Sequence, residues 1–147
     1  LFNMFALVVF GSALERVWGE KRFLIYYMVC GIGSFFLYEF TVGLNIYSQI
    51  DSFDPGVDMG WVLGASGSVF GLLLGFGMLF PNTKLMLLFP PIPIKAKYFV
   101  MGYGAIELMT AFQNNPGDNV AHFAHLGGML IGYFMIKKWQ RDRTNFY

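Results

Sequence analysis

Charge is scarce in this chain. Only 13% of its 147 residues are Asp, Glu, Lys or Arg, while 56% are hydrophobic. Soluble globular domains carry about 25% charged residues, so the shortage argues against an ordinary water-soluble fold. Cysteine is nearly absent as well. Cys30 stands alone in an apolar stretch, so it closes no internal disulfide and its expected role is packing. No HExxH sequence occurs, which removes the usual helical zinc-hydrolase signature. A net charge of +1 offers no basic field for nucleic acid.

What is abundant is uncharged length. Five hydrophobic segments can be drawn, over residues 1–14, 23–44, 66–80, 96–112 and 120–139. A bilayer-crossing helix needs ~20 mostly apolar residues, and several of these approach or exceed that. No soluble domain, long linker or internal repeat interrupts them. The expected fold is an all-α membrane protein, a polytopic helical bundle with about five transmembrane helices in a single domain over residues 1–147. The chain opens inside an apolar run, so it is expected to be N-terminally truncated. Its prolines keep the segment from Pro81 to Lys95 from forming a continuous helix, so this segment should skim the interface or fold back onto the protein.

Charge divides the linkers. Arg16, Lys21 and Arg22 follow the first segment, Lys84, Lys95 and Lys97 separate the third from the fourth, and Lys137, Lys138, Arg141 and Arg143 close the fifth. The remaining linkers carry Asp51, Asp54, Asp58 and Asp118 and no basic residue. Alternating spans put every basic group on one side, which the positive-inside rule makes cytoplasmic. Trp18, Trp61 and Trp139 then fall near interfaces, as aromatic belts do.

Two polar side chains stand out against this background. Gly64-Ala65-Ser66-Gly67 heads an uncharged stretch from Met59 to Thr83, and His125 lies near the head of the fifth segment. Both segments descend from the outer side, so Ser66 and His125 share a depth. Gly67, Gly71 and Gly75 recur every four residues in one segment, and Gly128 and Gly132 do so in the other. Small residues at that spacing let membrane helices approach closely. Ser66 Oγ should then reach the His125 ring, which takes its proton as general base. No aspartate lies at matching depth, so the expectation is a dyad. Backbone N–H groups at the helix head and the Asn3 amide are candidate oxyanion donors.

These residues resemble the rhomboid family of intramembrane serine proteases. Gly64-Ala65-Ser66-Gly67 is similar to its GxSG nucleophile motif, and Ala124-His125-Leu126-Gly127-Gly128 with Gly132 to its general-base helix. Asn3, Gly11, Glu15 and Gly19 resemble its HxxxN helix and the GxxxExxxG continuation, and Phe70 falls where the family sets an aromatic ring against the histidine. The resemblance implies helices two to six of a six-helix core, with the HxxxN histidine upstream of Leu1. It also implies cleavage of transmembrane segments in other membrane proteins, with no cofactor, in a multi-pass protein of the lipid bilayer. Short linkers lean toward a bacterial plasma membrane.

Plainer readings stand beside these. Ser66 alone would be a helix cap or packing residue, and His125 alone an interhelical hydrogen-bonding group. Ser68 lies on another face and lacks the motif. His122 and His125 could hold a metal but lack a third ligand at good sequence spacing. Glu107, about 15 Å past Lys97 by helix rise, reads as a mid-membrane structural acid, so Glu107→Gln should retain most cleavage. Two other functions remain: an inactive rhomboid-like protein that binds transmembrane helices, and a proton-coupled transporter using Glu107 and the histidines.

Overall fold

The computed structural model describes residues 2–48, 65–86, 91–112 and 119–144. Its helices are α1 (Phe2–Ala6), a π-helical turn (Leu7–Gly11), α2 (Ser12–Trp18), α3 (Glu20–Ser48), α4 (Ser66–Leu79), α5 (Ala96–Ala111) and α6 (Asn119–Thr144). Strands β1 (Lys84–Met86) and β2 (Pro93–Lys95) pair antiparallel between α4 and α5, with Leu85 opposite Ile94. The proline-rich connection thus folds back as a hairpin, a small exception within an all-α membrane bundle. Gly64, Trp61 and the aspartates of the two acidic linkers lie outside the described residues.

The first segment is longer than its apolar run suggests. A π turn inside it widens the helix by one residue. Gly11 closes that turn, where a β carbon would come within 3.2 Å of both Leu7 and Phe23. Gly19 then ends α2 at φ +80°, a conformation that side-chain-bearing residues avoid, and donates its N–H to the Glu15 carbonyl at 2.7 Å. The single-residue turn folds α3 back against α2.

Helix α4 is central, with nine of its fourteen residues buried. Leu14, Tyr26, Cys30, Leu72 and Ile136 meet around it as one apolar cluster from four helices. The outward faces are equally apolar. Leu24, Met28, Ile32, Phe35 and Phe36 of α3 and Met101, Ile106 and Met109 of α5 are exposed. In water so continuous a surface would aggregate or be covered. In a bilayer, acyl chains cover it.

Among the described residues one stretch, Glu20–Phe40, is both long and apolar enough to cross a membrane unaided, and the apolar α4 is shorter. Fourteen residues rise about 21 Å, against ~30 Å of hydrocarbon. The lower end of α4 is anchored, since Leu79 and Phe80 pack against the same apolar cluster as Trp18 and Trp139. Trp18 meets Trp139 edge-on at 5.4 Å, and the Arg22 guanidinium lies 5.9 Å over the Trp139 ring. The described basic residues gather at this end: the close of α2, the start of α3, the hairpin, the start of α5 and the close of α6. Alone, α4 falls about 9 Å short of the hydrocarbon thickness.

Candidate active site

At the end remote from the basic residues, α4 begins, α5 ends and α6 begins. Ser66 is the first residue of α4 and half-buried. Ala65 before it has no side-chain oxygen to cap the helix. The first helical bond is donated by the Val69 N–H to the Ala65 carbonyl at 3.0 Å. The Ser66 and Gly67 N–H groups precede it and have no acceptor among the described residues.

Glycine brings α4 and α6 together at this level. A β carbon on Gly128 would collide with the Gly67 carbonyl, and one on Gly71 would lie 3.2 Å from the Gly128 carbonyl oxygen and 2.6 Å from Cys30 Sγ. The glycine rows do not face one partner throughout, as their spacing suggests. Gly132 abuts the Tyr26 hydroxyl of α3, and Gly75 faces Leu14, Trp18 and Tyr26. Several helices surround α4, α2 among them, so successive glycines on one row meet different neighbours.

Two hydroxyls tie the crossing to α3. Tyr26 donates to the Gly71 carbonyl at 2.7 Å, and Ser34 donates to the Ala124 carbonyl at 2.7 Å. Ser34 also fills the space beside Gly67. The residue before His125 is thus held from α3. Ser68 is buried and turned towards Gly31 of α3, away from this corner.

Phe70 stands one turn below Ser66 on the same face of α4. Its ring stacks on the His125 imidazole, centroids 4.2 Å apart and planes 11° from parallel. Tyr103 of α5 backs Phe70 at 5.5 Å. Ser66 and His125 therefore share one corner of the bundle. The hydrogen bond expected between them is not formed among the described residues. Catalytic hydrogen bonds are often long before substrate binds and shorten in the complex. Asn3 lies half-buried in α1, a helix that touches α4, and makes no hydrogen bond among the described residues.

His125 is engaged through its other nitrogen. Its Nδ1 lies 3.1 Å from Glu107 Oε2, and His122 Nδ1 lies 2.6 Å from the same oxygen. Glu107 is 7% exposed. The expectation of a histidine with no carboxylate beside it is thus corrected: a buried acid touches the ring. Measured from the cytoplasmic end, Glu107 looks central, but measured from the outer end it does not. Glu107 stands four residues before Ala111, about 6 Å from the outer end of α5. His125 stands six residues after Asn119, about 9 Å into α6 from the same side. Counting from the outer end would have matched them.

Glu107 also supplies the third donor that the His122/His125 pair lacked in sequence, and the three donor atoms lie within 4.8 Å of one another. Their spacing fits hydrogen bonding better than ligation. A tetrahedral zinc shell with bonds of ~2.0 Å holds its ligand atoms roughly 3.3 Å apart, and the His122–Glu107 separation is 2.6 Å.

A Rhomboid domain family model matches residues 1–139. The chain belongs to the rhomboid family. It is 32% identical to "Rhomboid protein 1, mitochondrial" of Saccharomyces cerevisiae, over 96% of this chain and 39% of that protein. It is 28% identical to "Putative rhomboid protease YdcA" of Bacillus subtilis, over 96% and 62% respectively. It is also 28% identical to "Rhomboid protease AarA" of Providencia stuartii, over 89% and 47%. The chain thus spans only part of the length of the curated relatives it matches. No solved structure matches. Rhomboid proteins are integral membrane proteins, and the family includes proteases. Mitochondrial and bacterial relatives stand side by side, so similarity gives no preference to the bacterial plasma membrane.

Proposed function

We propose that this chain forms the catalytic part of an intramembrane serine endopeptidase that cuts transmembrane segments of other membrane proteins. Ser66 Oγ attacks the scissile carbonyl while His125 Nε2 takes its proton. The imidazolium returns that proton to the leaving amine, and water then hydrolyses the acyl-enzyme. The Ser66 N–H at the uncapped helix head and the Asn3 amide donate to the oxyanion. Residues 1–147 serve as one transmembrane domain, in a bacterial plasma membrane on the strength of the short linkers. A substrate helix must unwind locally before its carbonyl is accessible, so segments rich in small or helix-weakening residues are the expected substrates.

The observation that carries this reading is the flat stack of His125 on Phe70, one helical turn from Ser66 on the same face. It supports a base held beside the nucleophile. A second reading, a rhomboid-like protein that binds helices without cutting, is favoured by the missing Ser66–His125 hydrogen bond. Full-length protein reconstituted with a transmembrane reporter separates the two. The protease cleaves the reporter and takes a fluorophosphonate label, and Ser66→Ala and His125→Ala each lose both. Cleavage preserved in Ser66→Ala would falsify the assignment.

A further inference from the structure

The use of a buried carboxylate beside the base goes beyond the serine–histidine pair, and rests on that pair's being catalytic. We propose that Glu107 is the positioning residue of His125, and that His122 holds Glu107 in place. A carboxylate offers only acceptors. One oxygen, Glu107 Oε2, receives both His122 Nδ1 and His125 Nδ1, at 2.6 and 3.1 Å. Each ring then carries its proton on Nδ1. For His125 this leaves Nε2 without a proton, and no hydrogen bond occupies that atom among the described residues. A neutral ring in this tautomer is the form that can accept a proton from a serine hydroxyl.

The surroundings favour a defined geometry. Phe70 fixes the plane of the His125 ring by stacking at 4.2 Å, and the Nδ1–Oε2 contact fixes its rotation within that plane. Glu107 in turn is held from α6 by His122, three residues before His125 on the same side of the helix. His122 makes a further interaction besides the one to Glu107. When His125 gains the serine proton, the carboxylate offsets the new positive charge in a buried setting, where such a pairing is stronger than in water.

A structural role alone would not set a tautomer or separate turnover from binding. The test therefore uses full-length protein in bilayers, with Glu107→Leu, Glu107→Asp and His122→Asn, each checked for unchanged thermal unfolding. Glu107→Leu should lower kcat by up to roughly 10⁴-fold, as when the acid of a serine triad is lost, with KM within about twofold. Glu107→Asp should recover part of that loss, and His122→Asn should cost roughly tenfold. Isotope-labelled histidine reports the ring tautomers by nitrogen NMR, and the signals lost in His122→Asn and in His125→Asn assign the two rings within the full-length spectrum. The wild type should show the His125 proton on Nδ1, and Glu107→Leu should show a mixture of tautomers. Wild-type kcat in folded Glu107→Leu overturns the proposal, as does a wild-type His125 proton on Nε2. Stoichiometric zinc lost on Glu107→Leu, with activity lost to chelators, overturns it in favour of a metal centre. A wild type that neither cleaves nor takes the fluorophosphonate label defeats the protease reading instead, and the tautomer measurement still decides on Glu107.

Discussion

Gly128 in α6 abuts the backbone carbonyl of Gly67 in α4, and neither position has room for a β carbon. A side chain could swing aside, but a carbonyl in the first turn of a helix cannot. Gly128→Ala should therefore lower stability by about 1–3 kcal/mol, the usual cost of overpacking, and Gly128→Leu should fail to assemble. Gly102 is the control, because it is exposed and a β carbon there meets nothing within 4 Å. Unfolding midpoints in detergent that drop equally for Gly102→Ala and Gly128→Ala would contradict the close crossing.

Phe70→Ala removes the surface on which His125 rests. Aromatic stacking contributes about 0.5–1.5 kcal/mol, so kcat/KM for a transmembrane reporter should fall roughly 2–10-fold. Phe70→Tyr should retain the stack and most of the rate. A fully active, folded Phe70→Ala protein would show that the ring does not hold the base.

The two hydroxyl ties from α3 should behave differently. Interhelical hydrogen bonds in membranes contribute about 0.6 kcal/mol on average, so Ser34→Ala and Tyr26→Phe should each reduce stability by a comparable, small amount. Ser34 grips the carbonyl beside His125, so its loss should also slow cleavage. Tyr26 grips Gly71, and Tyr26→Phe should leave turnover near normal. Equal kinetic effects of the two changes would refute this division.

Two serines, two residues apart, should be separable by labelling. Ser68 is buried towards α3, and Ser68→Ala should keep the fluorophosphonate label. Ser66→Ala should lose it. Labelling that follows Ser68 would reassign the nucleophile.

The helices were legible because the bilayer forces simple rules on a sequence. Backbone groups must be satisfied within each span, so uncharged length reads directly as helix. The segments drawn over 66–80 and 96–112 lie within one residue of α4 and α5. The π turn was not legible, since Leu7 to Gly11 reads as ordinary apolar helix. The β hairpin was half legible: its prolines announced an interruption, but composition does not specify the pairing of Lys84–Met86 with Pro93–Lys95. Small-residue spacing and depth put Ser66 and His125 at one end of the bundle, while the Phe70 ring beside His125 was implied only by the family resemblance. The carboxylate was missed for a geometric reason. A residue near one end of a short helix looks central when its distance is taken from the other end.

The shortness of α4 has one more outcome. Helices α3, α5 and α6 and the first segment all pack against it, so much of its flank is bordered by protein. A helix too short to cross alone is then shielded along its flanks by its neighbours, and the bilayer need not thin around it.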